Sequence, residues 1–139
     1  MPDKIFIDTN LLVYAYVEQD KEKHDKILDF FLSIRKNYCF VSVQVINEFY
    51  SALSKNKVPH NIIHNNIIEI SNICNIADLD FEIVKLCLHI KEKYKLPYWD
   101  SLIVTTAIKN ECAILYSEDL QHNLKIEKKL KIINPFINN

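Results

Sequence analysis

The chain of 139 residues contains no glycine. That absence excludes whole classes of site. A phosphate-cradling P-loop and a dinucleotide-binding turn both need glycine, so that backbone N–H groups can approach the ligand closely. Every residue in the left-handed backbone region must therefore carry a side chain. Asparagine tolerates that region better than most residues, so the many asparagines are expected to end the helices and turns. Arginine is nearly absent as well: Arg35 stands alone against sixteen lysines. Anion binding would rest on lysine point charges rather than on bidentate guanidinium forks. A net charge of −1 gives no gross electrostatic signature of nucleic-acid binding. The longest apolar run, Leu11 to Val17, is far short of the roughly 18 residues that a membrane-spanning helix needs. Asp3, Lys4 and Asp8 break up the amino-terminal segment, against a secretory signal. The four cysteines, Cys39, Cys74, Cys87 and Cys112, are far apart and form no C-x-x-C pair. They read as reduced core residues of a cytoplasmic protein with no membrane partner.

What is present has the balance of an ordinary globular chain, about half apolar and a quarter charged, and the length suits one domain over residues 1–139. Lys4–Ile7 reads as a short buried strand and 10–17 as helical. His24–Arg35 is an amphipathic helix, with Ile27, Leu28, Phe31 and Leu32 on one side. Cys39–Val41 is a second strand, and Ser42 caps a helix over Val43–Ser54. Pro59 opens a helix that runs to about Ile73. Ile76–Leu79 is a weak third strand, Phe81–Tyr94 a helix, and Pro97 introduces another over Trp99–Asn110. Ala113–Tyr116 and Lys131–Asn134 complete the strands. Short apolar strands alternating with amphipathic helices argue an α/β fold, a parallel sheet covered on both faces.

Against that alternation, four carboxylates stand out. "FIDTN" ends a buried strand on Asp8. Asp119 lies just past the strand Ala113–Tyr116, in "YSEDL". Ligands of open α/β sheets bind beyond the carboxyl ends of the strands, where both would sit if those strands are neighbours. Asp100 shares its helix face with Ile103, Val104 and Ala107, and a core-facing carboxylate is costly unless something cationic meets it. Glu48 lies at the edge of a buried stripe, with Val45 one turn before it and Ala52 one turn after. Each has an ordinary reading when taken alone. Asp8 can cap a helix, Asp100 can meet a helix dipole, Glu48 can sit at a boundary, and "SED" can form a turn. Four such accidents on one glycine-free α/β scaffold are a poor explanation of the set. Carboxylates gathered at one end of a sheet repel each other unless a divalent cation joins them, and all-oxygen ligation selects Mg²⁺ or Mn²⁺.

The segments "FIDTNLLVYA", "SVQVINEFY", "LPYWDSLIVTTAI" and "ILYSEDLQH" resemble, in order and over nearly the whole chain, the motifs of the PIN domain. They are most similar to the small toxins of VapBC-type toxin–antitoxin pairs. The resemblance implies a PIN-like α/β/α sandwich with a five-stranded parallel sheet in the order 3-2-1-4-5. It implies an acidic quartet of Asp8, Glu48, Asp100 and Asp119. In that set Asp8 and Asp100 bind the metal directly, while Glu48 and Asp119 bind it directly or through water. Ser117 falls on the family's small hydroxyl position, and Asn10 follows the first acid. Glu118 and Asp119 both remain open for the last acid. Asn123 stands where similar members carry glycine. The implied activity is Mg²⁺- or Mn²⁺-dependent endoribonucleolytic hydrolysis of RNA, at a site in a structured RNA such as a tRNA. The implied partners are a small antitoxin and a second copy of the chain. A homodimer also fits a surplus of apolar helix surface that includes Phe30, Phe31 and Tyr50.

Other functions were weighed on residues. A receiver-type signalling module would want an acid pair at the first strand, where "FIDTN" supplies one. A catalytically silent PIN-like binding module would have lost acids from the quartet, whereas all four are present. A metal-dependent DNA nuclease is the nearest rival within the enzyme class. His60 and His64 have i, i+4 spacing but no third ligand follows, so they read as a solvated helix face. "IEKKLK", 126–131, reads first as surface, although it could meet phosphates. Tyr98 and Trp99 flank Asp100 and fit base stacking, a core position or a dimer contact.

Overall fold

The structure, a computed structural model, describes residues 2–137. The run KIFI forms β1 (Lys4–Ile7), with its last three side chains buried. There follow α1 (Thr9–Tyr16), α2 (Lys21–Ser33), β2 (Tyr38–Ser42), α3 (Val43–Lys55), α4 (His60–Ile73) and β3 (Asn75–Ala77). The remainder is α5 (Phe81–Tyr94), α6 (Tyr98–Lys109), β4 (Ile114–Tyr116), β5 (Lys125–Ile126) and β6 (Leu130–Ile133). The sheet order is β3-β2-β1-β4-β6-β5. Every strand pair is parallel except β5 with β6.

The expected order 3-2-1-4-5 therefore holds for the parallel strands, with β6 as the last of them. The sheet nevertheless has six strands rather than five. The extra strand, β5, folds back on β6 through a turn in which the Lys129 N–H donates to the Ile126 carbonyl at 3.0 Å. The two residues inside that turn, Glu127 and Lys128, have φ of 52° and 56°. Such a turn is normally announced by Asn-Gly, and no such signal exists here. Side chains hold it instead. The Tyr94 hydroxyl accepts from the Glu127 N–H at 2.8 Å, and the Glu127 carboxylate pairs with Lys93 at 2.7 Å. The stretch 126–131 is thus a hairpin that buries Ile126 and Leu130 and leaves Lys128, Lys129 and Lys131 on the surface.

Other boundaries moved for local reasons. Asp20 accepts from the Lys23 N–H at 3.1 Å and starts α2 earlier than expected. Asp80 accepts from the Ile83 N–H at 2.9 Å, so the chain leaves β3 early to enter α5. The expectation about asparagine holds in part: Asn56 and Asn110 are the C-caps of α3 and α6. Among the described residues the positive-φ positions are Lys57, Lys95, Glu111, Asn123, Glu127 and Lys128. Only Asn123 of these is an asparagine. The helix ends themselves differ: α1 and α4 close on extended residues, Val17 and Cys74, and α5 on left-handed Lys95.

The central strands and the helices on them are sealed. Ile5, Phe6, Ile7, Val41, Val45, Phe49, Val104, Leu115 and Ile132 have no exposed surface. From Ser101 to Ala107, α6 is buried without interruption. Its hydroxyls are satisfied within the helix: Thr105 donates to the Ser101 carbonyl at 2.6 Å and Thr106 to the Leu102 carbonyl at 2.8 Å. A helix fixed on all sides carries Asp100 in its first turn. Phe30, Phe31 and Tyr50 are half-buried against the core, which corrects their reading as surplus surface. Exposed apolar side chains lie elsewhere, including Phe81 and Leu88 on α5 and Trp99 on α6. With 62 % of its surface exposed, Trp99 is no core residue. No helix among the described residues is long and apolar enough to cross a membrane.

Candidate active site

The site begins where β1 and β4 lie side by side in parallel register, Ile7 beside Tyr116. One residue further on, the Asp8 N–H donates to the Tyr116 carbonyl at 3.0 Å. The Ser117 hydroxyl donates to Asp8 Oδ2 at 2.7 Å, and the Thr9 N–H donates to Asp8 Oδ1 at 2.7 Å. Asp8 is therefore both the N-cap of α1 and a buried group, 4 % exposed. The two readings of "FIDTN" do not exclude each other. Ser117 is also buried, and its oxygen accepts from the Asp119 N–H at 3.2 Å. A single hydroxyl thus ties the first acid to the backbone of the last.

Glu48 arrives on α3, whose start is fixed by Ser42 Oγ accepting from the Val45 N–H at 3.2 Å. Its Oε1 accepts from the Thr9 hydroxyl at 2.6 Å, and its Oε2 from Gln44 Nε2 at 3.0 Å. Gln44 Nε2 also donates to the Trp99 carbonyl at 3.1 Å, joining α3 to the start of α6 beside Asp100. Asp8, Thr9, Asn10, Glu48, Asp100 and Asp119 line one cleft of about 400 Å³, with Val13, Tyr14, Ala52 and Ile103 on its walls. Glu118 turns away from this cleft. It accepts from the Tyr14 hydroxyl at 2.6 Å and forms an ion pair with Lys23.

Thr9 and Gln44 escaped the sequence reading. Thr9 offers no signal in the sequence beyond its place next to Asp8. Gln44 carried a usable signal, since it stands one turn before Glu48, the spacing at which helical side chains meet.

The electrostatics are those of a crowded anionic site. Burial pushes the Asp8 carboxyl up to about 6, although the Ser117 and Thr9 hydrogen bonds oppose the rise; the charges of Asp119 and Glu48 add to it. Asp100 is raised by burial, then by Asp119 and Glu48. Asp119 is raised by burial and by Glu118, with the Asn10 amide and Lys23 pulling the other way. Among the described residues none of the quartet has an ion-pair partner.

The donor set fits a hard divalent cation. All the candidate ligands are oxygens, and Asn10 Oδ1 is a buried acceptor in the cleft with no hydrogen-bond partner among the described residues. As the side chains stand, no three His, Cys, Asp or Glu among the described residues are grouped closely enough to hold an ion. Neutral donors are interposed instead: Ser117 and the Thr9 N–H on Asp8, Thr9 and Gln44 on Glu48. His60 sits beside the Tyr50 hydroxyl at 3.0 Å, on the far part of α3 and the start of α4, away from the acids.

Comparison with solved structures places the fold. The chain resembles the sarcin–ricin loop-cleaving toxin VapC20 of Mycobacterium tuberculosis (TM-score 0.69, 14% identity, 83% of this chain and 89% of that one). It resembles a chain of VapBC2 from Rickettsia felis, solved bound to a DNA fragment from its promoter (TM-score 0.67, 18% identity, 94% and 99%). It also resembles a chain of a toxin–antitoxin complex from Klebsiella pneumoniae (TM-score 0.73, 16% identity, 95% and 98%). No curated protein matches the chain in sequence. The sequence profile of the PIN domain matches residues 5–125, from within β1 to the first residue of β5, and includes all four acids. The chain belongs to the PIN domain family.

Proposed function

We propose that this protein is a Mg²⁺- or Mn²⁺-dependent endoribonuclease, the toxin of a toxin–antitoxin pair, acting in the cytoplasm. The observation that carries the reading is the cleft in which Asp8, Glu48, Asp100 and Asp119 gather without a basic partner. When bound, the ion would polarise the phosphoryl oxygen of the scissile bond and lower the pKa of a water molecule. Asp8 and Asp100 would hold it. Ser117 and the Thr9 N–H orient Asp8, and the buried body of α6 orients Asp100. Glu48 and Asp119 would hold the ion through water or hold a second ion. Asp119, whose carboxyl is raised by burial, accepts the proton of the attacking water. Likeness to a toxin that cleaves the sarcin–ricin loop supports RNA as the substrate, and likeness to toxin–antitoxin complexes supports a small antitoxin as partner. A homodimer would use the exposed apolar side chains Phe81, Leu88 and Trp99.

The test is cleavage by purified protein of total RNA and of single- and double-stranded DNA, with Mg²⁺, with Mn²⁺ and with EDTA. Discrete RNA fragments that need the metal are expected. RNA cleavage that survives full chelation would overturn the metal mechanism, and cleavage of DNA alone would transfer the reading to a DNA nuclease. Sequencing of RNA ends after induction in cells then identifies the cut.

A further inference from the structure

Four cysteines that are far apart in sequence do not stay apart in the fold. Cys39 lies on β2, and Cys74 is the residue just before β3. The register that pairs Phe40 with Asn75 brings Cys39 on β2 next to Cys74 at the entry to β3. Their sulfurs are 2.7 Å apart. Neighbouring strands run about 4.8 Å apart, and a disulfide spans Cα separations of about 4.4–6.8 Å, so a covalent bond needs little backbone movement. Both thiols are only partly buried, and both line an apolar groove of about 330 Å³ bounded by α1, α2 and α4, with Tyr16, Phe31 and Ile70 in its wall. Cys87 and Cys112 are buried and lie outside that groove.

We propose that Cys39 and Cys74 form a redox-sensitive dithiol that a hydroperoxide oxidises to an intramolecular disulfide. Either thiol can donate to the other's sulfur; with Cys74 as the attacking thiol and Cys39 as the resolving one, or the reverse, the product is the same. The Cys74 thiolate attacks one peroxide oxygen. The O–O bond breaks, Cys74 becomes a sulfenic acid, and the other oxygen leaves as hydroxide that is protonated to water. Cys39 sulfur then attacks the sulfenic sulfur. The S–S bond forms, the S–O bond breaks, and the departing hydroxide takes the Cys39 proton as a second water. Two thiols and one hydrogen peroxide give one disulfide and two waters. Thiol pairs in reducing compartments act in this transient, sensing mode. The closed loop would contain α3 and α4, and with α3 Glu48, so oxidation would also restrain the helix that brings one acid to the cleft.

The experiment treats the full-length protein with hydrogen peroxide, blocks residual thiols under denaturing conditions and counts them by intact mass. Wild type should fall from four thiols to two, remain monomeric on non-reducing gels, and yield a peptide pair joined through Cys39 and Cys74 that dithiothreitol separates. The double variant Cys87→Ser/Cys112→Ser should fall from two thiols to none. Cys39→Ser and Cys74→Ser should each form no intramolecular disulfide at the same dose. Retention of all four wild-type thiols would overturn the proposal, as would an intramolecular disulfide in Cys39→Ser, or oxygen addition without the cross-link.

Discussion

Ser117 donates its hydroxyl hydrogen to Asp8 across 2.7 Å, although 109 residues separate them along the chain. This bond is the joint between β1 and β4 at the end where the acids gather. It holds the most deeply buried carboxylate of the quartet in one orientation, and it identifies Asp8 as the residue whose removal is most informative.

Asp8→Asn separates capping from ligation. Asparagine caps helices about as well as aspartate, so the start of α1 should survive. The substitution removes a buried negative charge, and the metal-free protein at neutral pH should melt a few degrees higher than wild type. Added Mg²⁺ stabilises the folded state in proportion to RT ln(1 + [L]/Kd), so its effect on the melting temperature should shrink in the variant. RNA cleavage should fall by a factor on the order of 10³, as expected when a metal ligand is lost. Thermal unfolding with and without Mg²⁺, run beside a cleavage assay, checks all of these together. Unchanged cleavage with an unchanged Mg²⁺ shift would leave Asp8 as a cap alone.

The acid cleft also sets a pH dependence. The Asp8 carboxyl sits near about 6 in the folded protein against 3.8 in an ordinary aspartate. The folded state therefore binds more protons than the unfolded state between those values, and stability falls as pH rises through that window. The difference corresponds to roughly 3 kcal/mol at 1.36 kcal/mol per pKa unit. Asp100 and Asp119, raised likewise, act in the same direction. Glu127, held down by Lys93 and Tyr94, acts in the opposite direction at lower pH. Urea unfolding of metal-free protein between pH 4 and pH 7 should show the decline, and Asp8→Asn should flatten it. Equal slopes in both proteins would contradict the burial of an ionising Asp8.

Glu118 and Asp119 are adjacent in sequence and should behave differently. Asp119 faces the cleft, whereas Glu118 is engaged by Tyr14 and Lys23. Asp119→Asn should lower kcat by a factor on the order of 10²–10⁴, the usual range for a proton-transfer group. Glu118→Gln should change it by less than about tenfold, and its main effect should be a small loss of stability from a partly exposed ion pair. Single-turnover cleavage rates decide between them. A larger loss from Glu118→Gln would reverse the assignment.

The fold was largely legible because its signals are local and redundant. Short apolar runs mark the strands, and Ser42, Pro59 and Pro97 mark helix starts whatever surrounds them. The acids were legible as a set, since an aspartate at the end of a buried strand is costly without a purpose. What escaped depends on distant partners. β5 exists because Tyr94 and Lys93 hold Glu127, and no window of sequence around residue 127 contains them. The rejection of Glu118 rests on Lys23 from α2, and the meeting of Cys39 with Cys74 rests on strand register.

The glycine-free helix ends make a stability prediction. Lys95 closes α5 with φ 56° and ψ 41°. A side chain in that conformation costs roughly 1–2 kcal/mol relative to glycine, partly offset by the greater freedom of glycine in the unfolded chain. Lys95→Gly should therefore stabilise the protein by about 0.5–1 kcal/mol, a rise of a few degrees in the melting temperature. Its side chain bridges only to exposed Glu92, so little is lost. A lower melting temperature would mean that the lysine stem contributes packing instead.

The order β3-β2-β1-β4-β6 has a consequence for when the acid cleft can form. The first acid lies near the start of the chain, yet its supporting hydroxyl and the last acid arrive only after β4, and β1 is the strand that β4 must pair with. While the chain is growing on the ribosome, the amino-terminal part can form β1, β2 and their helices, but the acid cleft has only part of its wall. Contacts this distant in sequence form late. A nascent chain that ends before Ser117 holds no assembled cleft, because it lacks both the hydroxyl that orients Asp8 and the last acid.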